Sequence, residues 1–191
     1  MPVLITLPNQ PDIRFDPKFG RGALLDVGSY PVSFIRAMLD ADPVEVFGWH
    51  ILSNSEVDVT FAGQMRFASG ALAQLSCSFQ SAPHWEAEIV GSQGMIWLDL
   101  PWQHDIGAVS KVQIYQAKKN SNATFGDSKS VLDLETITDD DSNAYNYQIE
   151  AMESACLDGA DPVIPASHSK GTITAISALY RSSQSGQPVT L

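Results

Sequence analysis

The chain has 191 residues, of which 44% are hydrophobic, and its 22 acidic and 11 basic side chains give a formal net charge of −11. This composition excludes disordered and fibrous proteins, and the negative charge disfavours nucleic acids and anionic membrane surfaces as partners. No apolar run reaches the roughly 20 residues of a membrane span. Residues 1–5 lack the basic start of a signal peptide, which predicts a cytoplasmic location.

The opening segment GRGALLDVGSYPVSFIRAML predicts a helix, because its apolar residues recur at intervals of three or four. The ring of Pro31 opposes the carbonyl of Val27, so a kink is expected near Gly28. The predicted apolar stripe consists of Leu24, Val27, Ile35 and Met38.

Three polar side chains, Asp26, Tyr30 and Ser33, share the opposite face of this helix. A tyrosine can exchange a proton with a hydroxyl or carbonyl group, and a nearby carboxylate can hold that group in place. On spacing alone, an ordinary solvent-exposed helix face, with Asp26 interacting with the helix dipole, is the favoured interpretation.

From residue 44 to residue 100 the sequence alternates apolar and polar side chains, as β-strands do. Two strands joined at residues 69–70 predict an antiparallel hairpin, residues 91–94 predict a second hairpin turn, and strands follow at 111–116 and 131–138. The apolar face of the first hairpin carries Val57, Val59, Phe61, Met65, Phe67, Ala71, Ala73, Leu75, Cys77 and Phe79, and its polar face carries Asp58, Thr60, Gln64, Arg66, Gln74, Ser76 and Ser78.

Two more helices are predicted near the end of the chain. One has an apolar stripe at Tyr145, Ile149, Met152 and Cys156, with Ser142 or Asn143 as its cap. The other covers about 169–185, buries Ile173, Ile176 and Tyr180, and precedes a short strand at 189–191. Helices at both ends and strands between them predict a single α+β domain over residues 1–191, an open and mostly antiparallel sheet with helices on one face.

The remaining chemical groups give weaker signals. Four histidines, His50, His84, His104 and His168, lack metal-ligand spacing and are predicted to be packed or surface residues, so no metal site is expected. Cys77 and Cys156 are predicted to be buried, unreactive thiols. Trp85 and Trp102 could stack on a sugar ring, although tryptophan in a sheet is more often a core residue. No glycine-rich turn joins a strand to a helix, so no dinucleotide-binding domain and no cofactor site are predicted.

These motifs resemble the C-terminal domain of the glucose–fructose oxidoreductase, inositol dehydrogenase and MocA (Gfo/Idh/MocA) family. The resemblance runs through the opening segment, VDVTFAGQMRFASGALAQLSCSF, HWEAEIVGSQGMIWLDLPW, NAYNYQIEAM, and the tail from GADPVIP onward. It implies a two-domain, NAD(P)-dependent enzyme whose N-terminal Rossmann domain carries the dinucleotide and a lysine. The C-terminal sheet would supply the substrate wall and the dimer interface. Arg21 stands where the family usually has a glycine.

By this resemblance, Tyr30 is the catalytic acid or base and Asp26 positions the substrate, with Ser33, Trp85 and Trp102 as further substrate contacts. The resemblance implies a small hydroxylated substrate such as a sugar or polyol, and a homodimer formed through the open sheet face. Without a Rossmann partner, the chain is expected to bind no NAD(P) and to be inactive. A non-catalytic carbohydrate-binding or oligomerisation module, or a truncated gene product, stays open as an alternative.

Overall fold

The computed structural model describes residues 12–20, 22–82, 84–102, 110–117, 132–139 and 144–191. The chain divides into two compact units, a first unit of residues 1–84 and 162–191 and a second unit of residues 85–161. The single domain expected for residues 1–191 stays a prediction. In chain order the elements are α1 (Ala23–Asp26), α2 (Ser29–Leu39), β1 (Pro43–Leu52), β2 (Asp58–Phe67), β3 (Leu72–Ser78), β4 (Glu86–Gly91), β5 (Gly94–Asp99), β6 (Ser110–Ala117), β7 (Leu132–Asp139), α3 (Ala144–Leu157), α4 (Ala166–Ser185) and β8 (Val189–Thr190).

The first unit is a four-stranded antiparallel sheet in the order β3-β2-β1-β8, with α1, α2 and α4 beside it. The inward side chains of the β2–β3 hairpin alternate as predicted and pack against the helices. The core includes Leu24, Val32, Val46, Phe61, Met65, Phe67, Leu75, Cys77, Phe79, Ala175, Ile176 and Leu179.

The predicted kink near Gly28 is present as a break between two helices, because α1 ends at Asp26 and α2 begins at Ser29. A side chain at position 28 would lie 2.6 Å from the Leu24 carbonyl oxygen and 2.9 Å from the Cys77 sulfur. Glycine is therefore required where the break passes over β3.

The second unit contains a four-stranded antiparallel meander in the order β4-β5-β6-β7. The predicted turn at residues 91–94 joins β4 to β5, with Gly91 paired to Gly94. The α+β class and the mostly antiparallel strands are thus confirmed, with the strands divided between two sheets. The structure places α4 at Ala166–Ser185, so the helix begins three residues earlier than predicted and ends at the predicted residue.

Several predicted burials are wrong. The α3 residues Tyr145, Ile149, Met152 and Cys156 are exposed, because within the second unit no described strand packs extensively on that stripe. Ile173 is exposed because the buried stripe of α4 runs through Thr172, Ala175, Ile176 and Leu179, and position 173 lies beyond its edge. Met38, in the last turn of α2, is exposed as well.

Two members of the predicted polar sheet face, Asp58 and Ser78, are buried. The Ser78 hydroxyl lies 2.7 Å from the Thr60 hydroxyl and accepts hydrogen bonds from the backbone N–H groups of Gln80 and Ser81, so it organises the turn that leaves β3. His104, Arg21 and the predicted caps Ser142 and Asn143 lie outside the described residues.

Candidate functional site

The first unit carries Asp26 and Tyr30 on the two sides of the helix break. Asp26 is the last residue of α1 and is half-buried, whereas Tyr30, the second residue of α2, is 54% exposed. The Ser29 hydroxyl donates a 2.8 Å hydrogen bond to the Asp26 carbonyl and so bridges the break. Tyr30 thus lies at the surface, in the first turn of α2, and this turn is hydrogen-bonded to the end of α1.

The segment before the break is held by a carboxylate that was expected on the polar sheet face. Asp58 is 4% exposed, and its Oδ2 accepts a 2.8 Å hydrogen bond from the backbone N–H of Leu24. Its Oδ1 accepts a 2.9 Å hydrogen bond from the hydroxyl of Tyr180 on α4. One carboxylate therefore connects β2 with α1 and α4.

A β-bulge explains why Asp58 points inward. Ile51 pairs with Thr60 but Leu52 pairs with Asp58, so β2 has one extra residue at this point of the ladder. A bulge shifts the alternation of side chains by one position. Asp58 and its neighbours Val57 and Val59 are consequently all buried, which regular alternation could not predict.

The approach of Asp58 to the opening segment requires a glycine. A Cβ built on Gly22 would lie 1.6 Å from Asp58 Oδ1 and 2.6 Å from its Cγ. Those distances are far inside van der Waals contact. Gly22 thus serves close packing of the opening segment on Asp58.

The environment of Asp58 favours the neutral forms of its neighbours. Burial, followed by the negative charge of Asp58, raises the pKa of the Cys77 thiol to about 12. Burial is also the first cause of the raised pKa of Tyr180, with the Asp58 charge and hydrogen bond adding to it. Both groups are therefore neutral near pH 7.

A second network holds α2 against α4. The Ser33 hydroxyl lies 3.0 Å from His168 Nε2, and the buried Arg36 guanidinium donates to the His168 carbonyl at 2.6 Å and to the Thr172 hydroxyl at 2.8 Å. Arg36 also pairs with Asp42 at 2.7 Å. The middle of α2 is therefore fixed to α4, with Ser33 engaged in the network. Sequence reasoning did not identify Arg36 and Thr172 as parts of it.

An ion pair between Arg14 and Asp12 interacts electrostatically with Asp26. Arg14 pairs with Asp12 at 2.7 Å and lies 5.9 Å from the centre of the Phe79 ring. The hydrogen bond that Arg14 donates to the Asp12 carboxylate is the first cause of the raised pKa of Arg14, and the charge of Asp26 adds to it. Asp26 thus lies within electrostatic reach of a permanent cation.

The first unit also has a cleft of about 450 Å³ beside Asp58 and Tyr180. Its wall includes His50, whose Nδ1 lies 2.8 Å from the Ser183 hydroxyl. That hydroxyl donates its one hydrogen to the Tyr180 carbonyl at 3.0 Å, so the His50 ring must donate from Nδ1 when it is neutral. His50 and His168 are both packed, hydrogen-bonded residues.

The two predicted sugar-stacking residues belong to the second unit. Trp85 and Trp102 are both half-buried, and the buried indole N–H of Trp85 has no hydrogen-bond partner among the described residues. Asp26, Tyr30 and Ser33 belong to the first unit, Asp26 at the end of α1 and the other two in α2. The roles predicted for these five residues stay predictions.

Two kinds of structural feature are absent from the described part of the chain. Within it, no group of three or more His, Cys, Asp or Glu side chains is placed to hold a metal ion. Among its helices, none has both the length and the apolar character of a membrane span.

The sequence matches a known family and several curated proteins. The model of the GFO/IDH/MocA C-terminal domain matches residues 4–97. D-xylose 1-dehydrogenase (NADP(+)) 2 of Haloferax volcanii is 26% identical over 94% of this chain and 51% of its own length. The dTDP-3,4-didehydro-2,6-dideoxy-alpha-D-glucose 3-reductase of Actinomadura kijaniata is 34% identical over 49% of this chain and 29% of its own.

Solved structures show the same fold. The aldose-aldose oxidoreductase of Caulobacter crescentus, crystallised with glycerol, superposes with a TM-score of 0.78 at 19% identity over 97% of this chain and 52% of its own. A 3-ketoreductase from Actinomadura kijaniata, in complex with NADP and TDP-benzene, superposes with a TM-score of 0.77 at 23% identity. The match covers 95% of this chain and 51% of the reductase. The chain spans about half the length of these proteins. It belongs to the GFO/IDH/MocA family, in which it corresponds to the C-terminal domain.

Proposed function

We propose that this chain is the substrate-binding half of an NAD(P)-dependent sugar or polyol oxidoreductase. Tyr30 is the acid or base that exchanges a proton with the substrate, and Asp26 holds the reacting hydroxyl group in place. Two relatives whose names specify a sugar substrate, the xylose dehydrogenase and the dTDP-sugar reductase, support this substrate class.

The observation that carries the proposal is that Tyr30 is exposed, whereas the segment just before it is buried and hydrogen-bonded. The phenol is 54% exposed, while Leu24, six residues earlier, is fully buried and hydrogen-bonded to Asp58. An exposed side chain gains little stability from its position, so an accessible tyrosine four residues after Asp26, at the start of a helix that follows a buried segment, fits a role toward a ligand.

The described residues do not fit a dinucleotide. A pyrophosphate is usually held by a glycine-rich turn that leads from a strand into a helix, and the turn at residues 91–94 joins two strands instead. The nicotinamide would supply the hydride chemistry from a Rossmann domain. This chain would contribute the Tyr30 hydroxyl as the group that exchanges a proton with the substrate.

The test is a fusion of this chain to the Rossmann domain of a family member. Turnover of aldoses and polyols is followed by the absorbance of reduced nicotinamide. Tyr30→Phe should lower kcat roughly 10²-fold, as expected for loss of a general acid or base. Tyr147→Phe, at another exposed tyrosine, is the matched control and should leave the rate unchanged.

The chain by itself should show neither turnover nor NAD(P) binding by calorimetry. Turnover by the chain alone would overturn the division of the site between two domains. An unimpaired Tyr30→Phe fusion would show that the acid or base is another residue. Sugar binding without turnover in the fusion would favour the alternative, a non-catalytic carbohydrate-binding module.

We also propose that the sheet face opposite the helices forms a homodimer, in a cytoplasmic enzyme. This face exposes Trp49 and Leu72, which are 57% and 76% exposed, beside the Arg66–Glu45 ion pair. An apolar centre with charged neighbours is typical of subunit interfaces. Light scattering should give twice the chain mass, and Trp49→Glu should halve it; a monomeric parent chain would refute the proposal.

A further inference from the structure

Among the described residues, Asp58 is the one buried acidic residue. Its two oxygens accept hydrogen bonds from elements 34 and 122 residues away in the sequence, at Leu24 and Tyr180. A buried carboxylate is unfavourable unless it is hydrogen-bonded. Its presence therefore calls for an explanation beyond the stability of the core, since an apolar side chain would avoid that desolvation.

We propose that Asp58 is a positioning residue, whose carboxylate fixes α1 and through it the places of Asp26 and Tyr30. This inference rests on the proposed function of Tyr30. It assigns Asp58 no contact with substrate.

The first argument concerns α1 itself. With four residues it is too short to be stable alone. The first N–H groups of any helix have no partner within it, and the Gly22 that precedes α1 offers no side-chain cap. Asp58 accepts from one of these groups, the N–H of Leu24. Because Ala23 and Leu24 are fully buried, water cannot replace that acceptor.

The second argument concerns transmission to Tyr30. Asp26 ends the single turn that contains Leu24, and the Ser29 hydroxyl donates a hydrogen bond to the Asp26 carbonyl across the break. Gly28 links the break to α1, because its N–H donates a 2.8 Å hydrogen bond to the Ala23 carbonyl oxygen. A shift of α1 would therefore carry Asp26 and the first turn of α2 with it.

The chemistry of the two donors determines which variants are informative. The Leu24 N–H can only donate, whereas the Tyr180 hydroxyl can donate or accept. Asparagine at position 58 could therefore keep both hydrogen bonds by reversing the one to Tyr180. Alanine would lose both, and serine is too short to reach both partners.

The experiment compares Asp58→Ala and Asp58→Asn with Ser78→Ala, a control that removes another buried polar group of the same hairpin. Hydrogen exchange by mass spectrometry is measured on the full chain, for amides 23–30 against the remaining peptides. Values of kcat and KM are measured in the fusion described above, well below each variant's unfolding temperature.

We expect Asp58→Ala to speed exchange of amides 23–30 about 10-fold relative to Ser78→Ala. It should lower kcat roughly 10- to 100-fold through misplacement of the phenol, with KM changed less than about twofold. Asp58→Asn should recover most of the rate. Exchange or kcat equal to that of Ser78→Ala would overturn the proposal.

Failure of Asp58→Ala to fold and absence of turnover in the fusion can each be distinguished from failure of the inference. If Asp58→Ala does not fold, Asp58→Ser replaces it under the same criteria. If the fusion with the native residues shows no turnover, the proposed function fails, and the exchange of amides 23–30 still decides whether Asp58 fixes the segment. Unchanged exchange in that case overturns the inference as well.

Discussion

Replacing Gly22 by alanine tests the packing of the opening segment directly. The backbone of Gly22 is extended, with φ 177° and ψ 177°, so alanine can adopt it without strain. The added Cβ, however, would lie 1.6 Å from Asp58 Oδ1 and 3.2 Å from the Asp58 carbonyl oxygen. The carboxylate must move, and it cannot move without breaking its bonds to Leu24 or Tyr180.

The size of the effect follows from those bonds. A hydrogen bond to a charged group contributes about 1.5–3 kcal/mol, and an unsatisfied buried acceptor adds a desolvation cost. We therefore expect Gly22→Ala to lower the free energy of unfolding by about 3 kcal/mol. For a chain of this length, that corresponds to a fall of about 6–12 °C in Tm.

Scanning calorimetry measures the change, with Gly20→Ala as the matched control. Gly20 has φ +59° and no heavy atom within 4 Å of an added Cβ, so its substitution costs only the left-handed backbone conformation, about 1–2 kcal/mol. A double-mutant cycle then isolates the clash. If Gly22→Ala destabilises an Asp58→Ala chain as much as it destabilises the parent, contact with the carboxylate is not the cause.

Three further predictions concern single residues. Iodoacetamide at pH about 8 should label the exposed Cys156 and spare the buried Cys77, as read by peptide mass spectrometry; equal labelling would contradict the burial of Cys77. The pKa of Cys77 rises from 9.0 to about 12 on folding, so its contribution to stability is complete below pH 9 and is lost as pH rises toward 12. Calorimetry between pH 9 and pH 12 should show a smaller loss of stability for Cys77→Ala than for the parent chain. Identical pH profiles of the two chains would refute the contribution of Cys77. Ser182→Ala should lower stability by about 1–3 kcal/mol in urea unfolding, because the buried Gly48 N–H loses its acceptor; no change would show that this bond contributes nothing.

Local periodicity predicted the elements that depend on near neighbours. The β2–β3 hairpin, the turn at residues 91–94 and the break at Gly28 follow from alternation, glycine placement and the ring of Pro31. The same reasoning failed where a distant contact decides. The inward turn of Asp58 depends on a bulge in its pairing with β1, which no period within β2 reveals.

The candidate site shows the same limit. Asp26 and Tyr30 were singled out from their spacing and the family resemblance, because both lie in one short motif. Their support comes from Asp58, Tyr180 and His168, which only the tertiary structure brings near. The apolar stripe of α3 was predicted to be buried but is exposed. Periodicity identifies an amphipathic helix but does not specify which element covers its apolar face.

The first unit is discontinuous in sequence, since strands β1, β2 and β3 come from residues before 85 and α4 and β8 come from residues after 161. During synthesis, β1, β2 and β3 leave the ribosome long before Ala175, Ile176 and Leu179, which complete their core. The growing chain must therefore keep an unfinished apolar sheet face in water while 77 residues of the other unit are made. That delay exposes the nascent chain to aggregation and gives chaperones a defined interval in which to act.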